Sequence, residues 1–260
     1  VYVYFARSSA LLEDASPITL LDEQERARYE RFMFAHSKRE FCAAHALLRT
    51  VLTRHDPTHS ASEWRFTVNP WGRPQLIPSQ AREDLRFNLS HTHDLVCVAI
   101  SRSRELGVDV EDTLRRGQTL EIADRFFARA EVEQLQSTAI EQQIRRFFSF
   151  WTLKESYIKA RGMGLAIPLE QFAFTIEGSE LATHAAPPAK LLTHVTLYTD
   201  PSLNDDATRW SFQQFALTDR HMGAIAVEVM PGRSPSHEPR SQAIELQLVQ
   251  VHSLSDFAGR

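Results

Sequence analysis

Apolar and polar positions change period several times along the chain, and each change marks an element. Val1 to Ala6 alternates and predicts a short strand. After Pro17, Thr19-Leu20-Leu21-Asp22 has the form of a capping box opening a helix to about Phe32. Ser37-Lys38-Arg39-Glu40 has the form of a second, and Phe41, Ala44, Leu48 and Val51 or Leu52 then follow at helical spacing to His55. Trp64 to Val68 alternates as a strand into the Pro- and Gly-containing turn Asn69-Pro70-Trp71-Gly72-Arg73-Pro74. The segment from Leu85 reads as a strand with hydroxyl and imidazole groups at its exit, Ser90-His91-Thr92-His93. The apolar run Leu95 to Ile100 predicts a buried strand, expected to form a hairpin with Gly107-Val108-Asp109-Val110-Glu111-Asp112. Short helices are predicted at Thr119 to Ala128 and Glu131 to Gln136. A long helix from about Gln142 stops at Gly162 and Gly164, where left-handed turns are open to the backbone. Phe172 to Glu177, Leu191 to Tyr198, Trp210 to Leu217 and Met222 to Val229 are expected as four strands of one antiparallel sheet. Pro231 to Arg240 reads as a linker, and Ala243 to Val251 as a last edge strand.

The long helix carries the first chemical signal. Phe147, Phe150, Trp151, Leu153, Tyr157 and Ile158 share one apolar arc, and Ser149, Thr152 and Ser156 fall opposite. Lys154 lies inside that arc, and Glu155 and Lys159 stand i, i+4 at its edge. By itself this spacing is an ordinary exposed ion pair. It gains meaning from the strand at Asp109, where period-two alternation turns Asp109 and Glu111 the same way, about 7 Å apart. Two such carboxylates can share a hard cation such as Mg²⁺, with Glu155 as a third ligand and water or phosphate completing the shell.

The 260 residues are 43% hydrophobic and 24% charged, which predicts a soluble globular chain with a sizeable core. A net charge of −4 argues against nucleic acid as the main partner, since backbone binding needs a basic field. No apolar run reaches membrane-spanning length. Cys42 and Cys97 lie in apolar surroundings without CxxC spacing, so reduced thiols in the cytoplasm are expected. The first residue is Val rather than Met, and the natural start is expected upstream.

Five segments in order resemble the 4'-phosphopantetheinyl transferases of the Sfp type: Trp71-Gly72-Arg73-Pro74, Phe87-Asn88-Leu89-Ser90-His91, Gly107-Val108-Asp109-Val110-Glu111, Phe126-Phe127-Ala128-Arg129-Ala130-Glu131 and Trp151-Thr152-Leu153-Lys154-Glu155-Ser156-Tyr157-Ile158-Lys159. The resemblance covers nearly everything up to Pro168. It implies an α+β, pseudo-twofold fold of two similar halves with a cleft between them. It also implies coenzyme A as donor substrate, Mg²⁺ as cofactor, and a serine of an apo acyl or peptidyl carrier protein as acceptor. Asp109, Glu111 and Glu155 match the metal carboxylates, and Lys159, Ser90 and His91 match groups at the coenzyme A phosphates. Arg73 stands where many members have lysine, and Arg28, Arg39 and Arg49 are offered for the nucleotide's 3'-phosphate. Glu155, as base, and Lys159 are the expected catalytic residues.

The expected organisation is residues 1–106 as an N-terminal half on the nucleotide side, 107–230 as a half bearing the metal and catalytic helix, and 231–260 as linker and tail. No residue-level repeat is visible between the halves. A cytoplasmic monomer is expected, with Arg115, Arg116, Arg125 and Arg129 facing an acidic carrier. Two alternatives stand beside this reading: another Mg²⁺-dependent nucleotide transferase, and a coenzyme A binding module without turnover.

Overall fold

The computed structural model describes residues 1–13, 17–81, 84–115, 117, 119–179, 186–229 and 244–257. The expected linker at 231–240 and Arg116 lie outside them. Strand β1 (Tyr2–Ala6) leads through a single turn, α1 (Ser8–Leu11), to α2 (Glu23–Arg31) and the long α3 (Ala35–His55). Strands β2 (Phe66–Val68), β3 (Pro74–Leu76), β4 (Leu85–Thr92) and β5 (Leu95–Arg102) follow. The second half opens on β6 (Leu106–Asp112) and continues through α4 (Thr119–Phe126), α5 (Arg129–Ser137) and the long α6 (Ile140–Arg161). It ends in β7 (Phe172–Ser179), β8 (Ala189–Lys190), β9 (Leu192–Thr199), β10 (Trp210–Ala216) and β11 (His221–Glu228). The expected edge strand is β12 (Gln247–Gln250), which returns to the first half and runs parallel beside β1.

Two four-stranded sheets result, ordered β12-β1-β5-β4 and β6-β11-β10-β8. Strand alternation stacks them between the long helices. Tyr4, Val96, Val98 and Ile100 point into the core shared with α3, while Val3, Phe5, Leu95, Cys97 and Ala99 meet Val108, Val110, Ile225 and Val227 of the other sheet. Met222, Ala224 and Ala226 then face α6. The layers are helix, sheet, sheet, helix. The run Leu95 to Ile100 is continuous because both faces of β5 are covered. The carboxylates alternate with Val108 and Val110, so they lie on the α6 side of their sheet.

Several expectations are corrected by long-range pairing. Strand β5 uses both edges on β1 and β4 and has none left for β6, so the hairpin across Asp109 does not form. The second half's strands split: β7 and β9 pair with each other, whereas β10 and β11 join β6. The α2 capping box is Asp22 with Glu25, since Pro17–Leu20 forms its own 3-10 turn. Helix α3 begins at Ala35, which leaves Ser37 inside the helix rather than at its cap.

The hydroxyl-bearing side of α6 is buried rather than solvated. Ser149, Thr152 and Ser156 are all 0% exposed, and the Thr152 and Ser156 hydroxyls donate to Phe148 and Leu153 carbonyls, both at 2.8 Å. This small face lets the helix press on β6. A Cβ on Gly107 would come within 2.1 Å of the Ser156 carbonyl oxygen and 2.3 Å of the Ala160 nitrogen.

A repeat between the halves does exist, in buried ion pairs. Glu25 near the start of α2 accepts from the Asp22 N–H and from Arg49 of α3, whose Nη2 lies 2.6 Å from it. Glu131 near the start of α5 accepts from the Ala128 N–H and pairs at 2.7 Å with Lys154 of α6. Each long helix is thereby tied to the short helix before it. Arg49 and Lys154 are fully buried; Arg49 also donates to Asp22 and the Ala61 and Trp64 carbonyls, and Lys154 to the Leu169 and Phe172 carbonyls. This corrects Arg49 as a ligand for the 3'-phosphate: its donors are spent inside the protein.

Breaking such a pair leaves an uncompensated charge. Arg49→Met is expected to cost ~3–5 kcal/mol by urea denaturation at pH 7. Burial alone would raise the Glu25 carboxyl, but bonding to His45, the His45 and Arg49 charges and the Asp22 N–H bring it from 4.5 down to about 2. A depressed carboxylate stabilises fully above its unfolded value, and that contribution is lost as the pH falls toward 2. Acid titration of stability should therefore fall more steeply between about pH 5 and 2 in the parent than in Glu25→Gln. A neutral Arg49→Met or two parallel acid limbs would show that the pair does not brace the half.

Candidate active site

A cavity of about 440 Å³ opens between the halves. One wall is the end of β4 from Phe87 to His91, the opposite wall is α6 at Glu155, Ile158, Lys159 and Gly162, and Asp109 of β6 lies between them. The Trp71–Pro74 turn and, from α2 and α3, Arg28, Phe41 and His45 complete the lining.

The turn is seated by the end of α6. Gly162 adopts φ 66° and stops the helix, leaving carbonyls that point outward. Asn69 donates to the Gly162 carbonyl at 2.7 Å and Arg73 Nη1 to the Ala160 carbonyl at 3.1 Å. A cation there also complements the helix dipole. Arg73 is further engaged by Glu105 at 3.1 Å, so it is a brace between the halves as well as a lining residue.

At the centre, Lys159 does not pair with Glu155. Its Nζ donates to Asp109 Oδ1 at 2.7 Å, Ser90 Oγ at 3.0 Å and the Val108 carbonyl at 3.2 Å. Asp109 Oδ2 is buried and has no hydrogen-bond partner among the described residues. Burial, and then the charge of Asp109, raise Glu155, with Lys159 opposing. The same two causes push Glu111 up to about 7, against Arg115, Thr92 and Lys159. Glu111 lies farther along β6, 3.6 Å from Arg115, and does not line the cavity. Among the described residues, no three His, Cys, Asp or Glu side chains converge tightly enough to enclose a metal. The geometry instead offers an orphaned Asp109 oxygen beside two carboxylates whose charge is disfavoured. That fits a cation which takes one or two protein carboxylates and fills its shell with water and phosphate.

The other side of the cavity carries Arg28, His45 and His91. His91 is held down to about 4, by burial first and then by Lys159, His45 and Arg28. Its Nδ1 lies 3.8 Å from Glu40. His91 therefore stands as a neutral imidazole near neutral pH, and His45 Nδ1 lies 2.6 Å from Glu25 Oε1. Arg28 lies over the Phe41 ring at 5.2 Å.

Of the residues expected from sequence, the cavity gathers Arg28, Arg73, Ser90, His91, Asp109, Glu155 and Lys159. Arg39 is exposed and outside the lining, and Arg49 is buried elsewhere. Phe41 and His45 are additions, and their i, i+4 spacing on α3 was the available sign that they share a face.

Comparison with known proteins agrees with this layout. Residues 105–218 match the model of the 4'-phosphopantetheinyl transferase superfamily, and residues 13–103 match that of the 4'-phosphopantetheinyl transferase N-terminal region. The chain is 34% identical over 208 residues to the 4'-phosphopantetheinyl transferase HetI of Nostoc sp., covering 80% of this chain and 78% of that one. To the 4'-phosphopantetheinyl transferase Sfp of Bacillus subtilis it is 30% identical over 171 residues, 66% and 73% of the two chains. To the L-aminoadipate-semialdehyde dehydrogenase-phosphopantetheinyl transferase of Xenopus laevis it is 26% identical, over 78% of this chain and 67% of that one. With its two halves, its cleft and its acidic and basic residues in these positions, the chain belongs to the 4'-phosphopantetheinyl transferase family.

Proposed function

We propose that this enzyme transfers the 4'-phosphopantetheine arm of coenzyme A to a serine hydroxyl of an apo acyl or peptidyl carrier protein, releasing adenosine 3',5'-bisphosphate. The observation that carries the reading is the cavity itself: Arg28, Arg73 and the His91 imidazole on the first-half side face Asp109, with an under-bonded carboxylate oxygen, and Glu155. A pyrophosphate bridging a divalent cation would satisfy both.

The serine oxygen forms a bond to the β-phosphorus as the bridging oxygen leaves with the nucleotide. Arg28 and His91 are assigned to the phosphates of the bound nucleotide, and Arg73 to the wall beside them. Lys159 supplies a point charge near the leaving oxygen. Glu155 is assigned to take the serine proton, because burial and Asp109 make its carboxylate a better base than an exposed one. Asp109 and Glu155, which line the cavity, would hold Mg²⁺, with Glu111 as the more distant carboxylate of the expected set; when bound the ion supplies charge neutralisation on the pyrophosphate. A cytoplasmic location fits the two free, buried thiols, and the enzyme is taken to act as a monomer. The carrier is placed against the second half, where Arg125 and Arg129 are exposed beside Leu120 and Phe126.

Incubation with coenzyme A, Mg²⁺ and a panel of apo carriers should add the phosphopantetheine mass to a carrier and release one equivalent of the bisphosphate. Coenzyme A binding without mass gain on any carrier would leave only a binding module. His91→Ala should weaken coenzyme A about tenfold by calorimetry, the equivalent of one lost phosphate contact; unchanged affinity would move the phosphates elsewhere.

Crowded carboxylates predict a second result. In chelator, Glu155→Gln should be at least as stable as the parent, by up to about 1 kcal/mol, while losing most transfer and part of the Mg²⁺-dependent stabilisation. A clearly less stable metal-free variant would make Glu155 structural. Charge reversal at Arg125 and Arg129 should lower transfer to an acidic carrier several-fold and flatten its salt dependence; salt-insensitive transfer that survives reversal would place docking on another surface.

A further inference from the structure

Strands β4 and β6 are the facing edges of the two sheets, and no backbone ladder joins them. Side chains at alternate positions of β4 replace it. Asn88 Oδ1 accepts from the Val108 N–H at 3.0 Å and Ser90 Oγ from the Val110 N–H at 3.3 Å. The same stripe then reaches the carboxylates. Ser90 donates to Asp109 Oδ1 at 2.9 Å, and Thr92 donates to Glu111 Oε2 at 3.3 Å. All three side chains are nearly inaccessible to solvent.

A serine hydroxyl has one donor and two lone pairs. In Ser90 the donor is on Asp109, while the lone pairs receive Val110 N–H and Lys159 Nζ. No donor remains for a phosphate oxygen. Fixing Oδ1 of Asp109 also fixes the direction of Oδ2, the buried oxygen without a partner. Thr92 restrains Glu111 in the same way two residues along. We infer that Ser90 and Thr92 are positioning residues that aim Asp109 and Glu111 at the metal, and that the Ser90 hydroxyl does not donate to a phosphate of coenzyme A. This rests on the Mg²⁺ reading of those carboxylates.

Hydrogen bonds to the ligands of a metal commonly set its affinity, and losing one costs ~10–100-fold. The full chain would be titrated with Mg²⁺ and followed by thermal melting, and coenzyme A binding would be measured by calorimetry in chelator. Ser90→Ala and Thr92→Val are each expected to weaken Mg²⁺ by ~10-fold or more. Coenzyme A affinity in chelator should stay within about twofold, because no phosphate contact is removed. Thr92→Ser should restore the Mg²⁺ response, and Ser90→Cys, a weaker donor, should fall between parent and Ser90→Ala and serves where the alanine variant is too unstable to titrate. Undiminished Mg²⁺ responses in the variants would overturn the positioning role while leaving the metal reading intact. Loss of coenzyme A affinity with Ser90→Ala would overturn this division of roles, since the hydroxyl would then serve phosphate binding itself or by steadying Lys159. A parent without any Mg²⁺ response would remove the metal reading and this inference with it.

Discussion

Among the described glycines, the tightest fit is that of Gly107 against a helix. At Gly107 the backbone of β6 lies so near α6 that no Cβ fits beside Ser156 and Ala160. Because side chains alternate along a strand, Asp109 is the next residue on that face, and the contact delivers its carboxylate to Lys159, one helical position before Ala160. The same seating carries the helix end to Gly162, where the freed carbonyls hold Asn69 and Arg73 and thereby the Trp71 turn. Two walls of the cavity follow from one steric fit. The small residues of α6 are therefore an interface, although their hydroxyls give them the appearance of a solvent face.

Charge completes what the steric fit begins. The cavity joins groups from α2, α3, β4, β6 and α6, so its lining is drawn from both halves. The halves bring different groups: Arg28, Arg73 and two imidazoles come from the first, Asp109 and Glu155 from the second. Lys159 crosses between them, bonded to Ser90 on one side and Asp109 on the other. Such a seam suits a ligand that is itself anionic but travels with a cation.

The periodicity of the sequence was enough to find the long helices and most strands, because each face of each element has a single environment. Sheet membership was not legible, since β5 and β6 are adjacent in the chain yet lie in different sheets once β1 and β4 have taken both edges of β5. The carboxylates and Lys159 were legible from spacing and family likeness together. The arginines were not: Arg28, Arg39 and Arg49 have the same chemistry in sequence, and only the fold separates a lining residue, an exposed one and a buried brace. The paired occurrence of a glutamate near the start of a short helix and a basic residue 24 positions later, Glu25 with Arg49, and its near counterpart Glu131 with Lys154, was the repeat available to be read.

Those pairs also separate scaffold from site. Arg49 and Lys154 are entirely buried, which is costly for a charge, and each is matched by a carboxylate and backbone carbonyls. Every charge there has its partner within the chain, so nothing is left for a ligand to supply. Asp109, Glu111 and Glu155 are also poorly solvated, but two of them have raised pKa values and the third keeps an oxygen without a bond. Folding alone would favour filling that vacancy in hydrogen bonding with a donor from the protein, as it did around Arg49. The Asp109 deficit lies where the two halves meet, in the lining that the proposed cation and its anionic partner would occupy, and binding there would restore what folding leaves unmet.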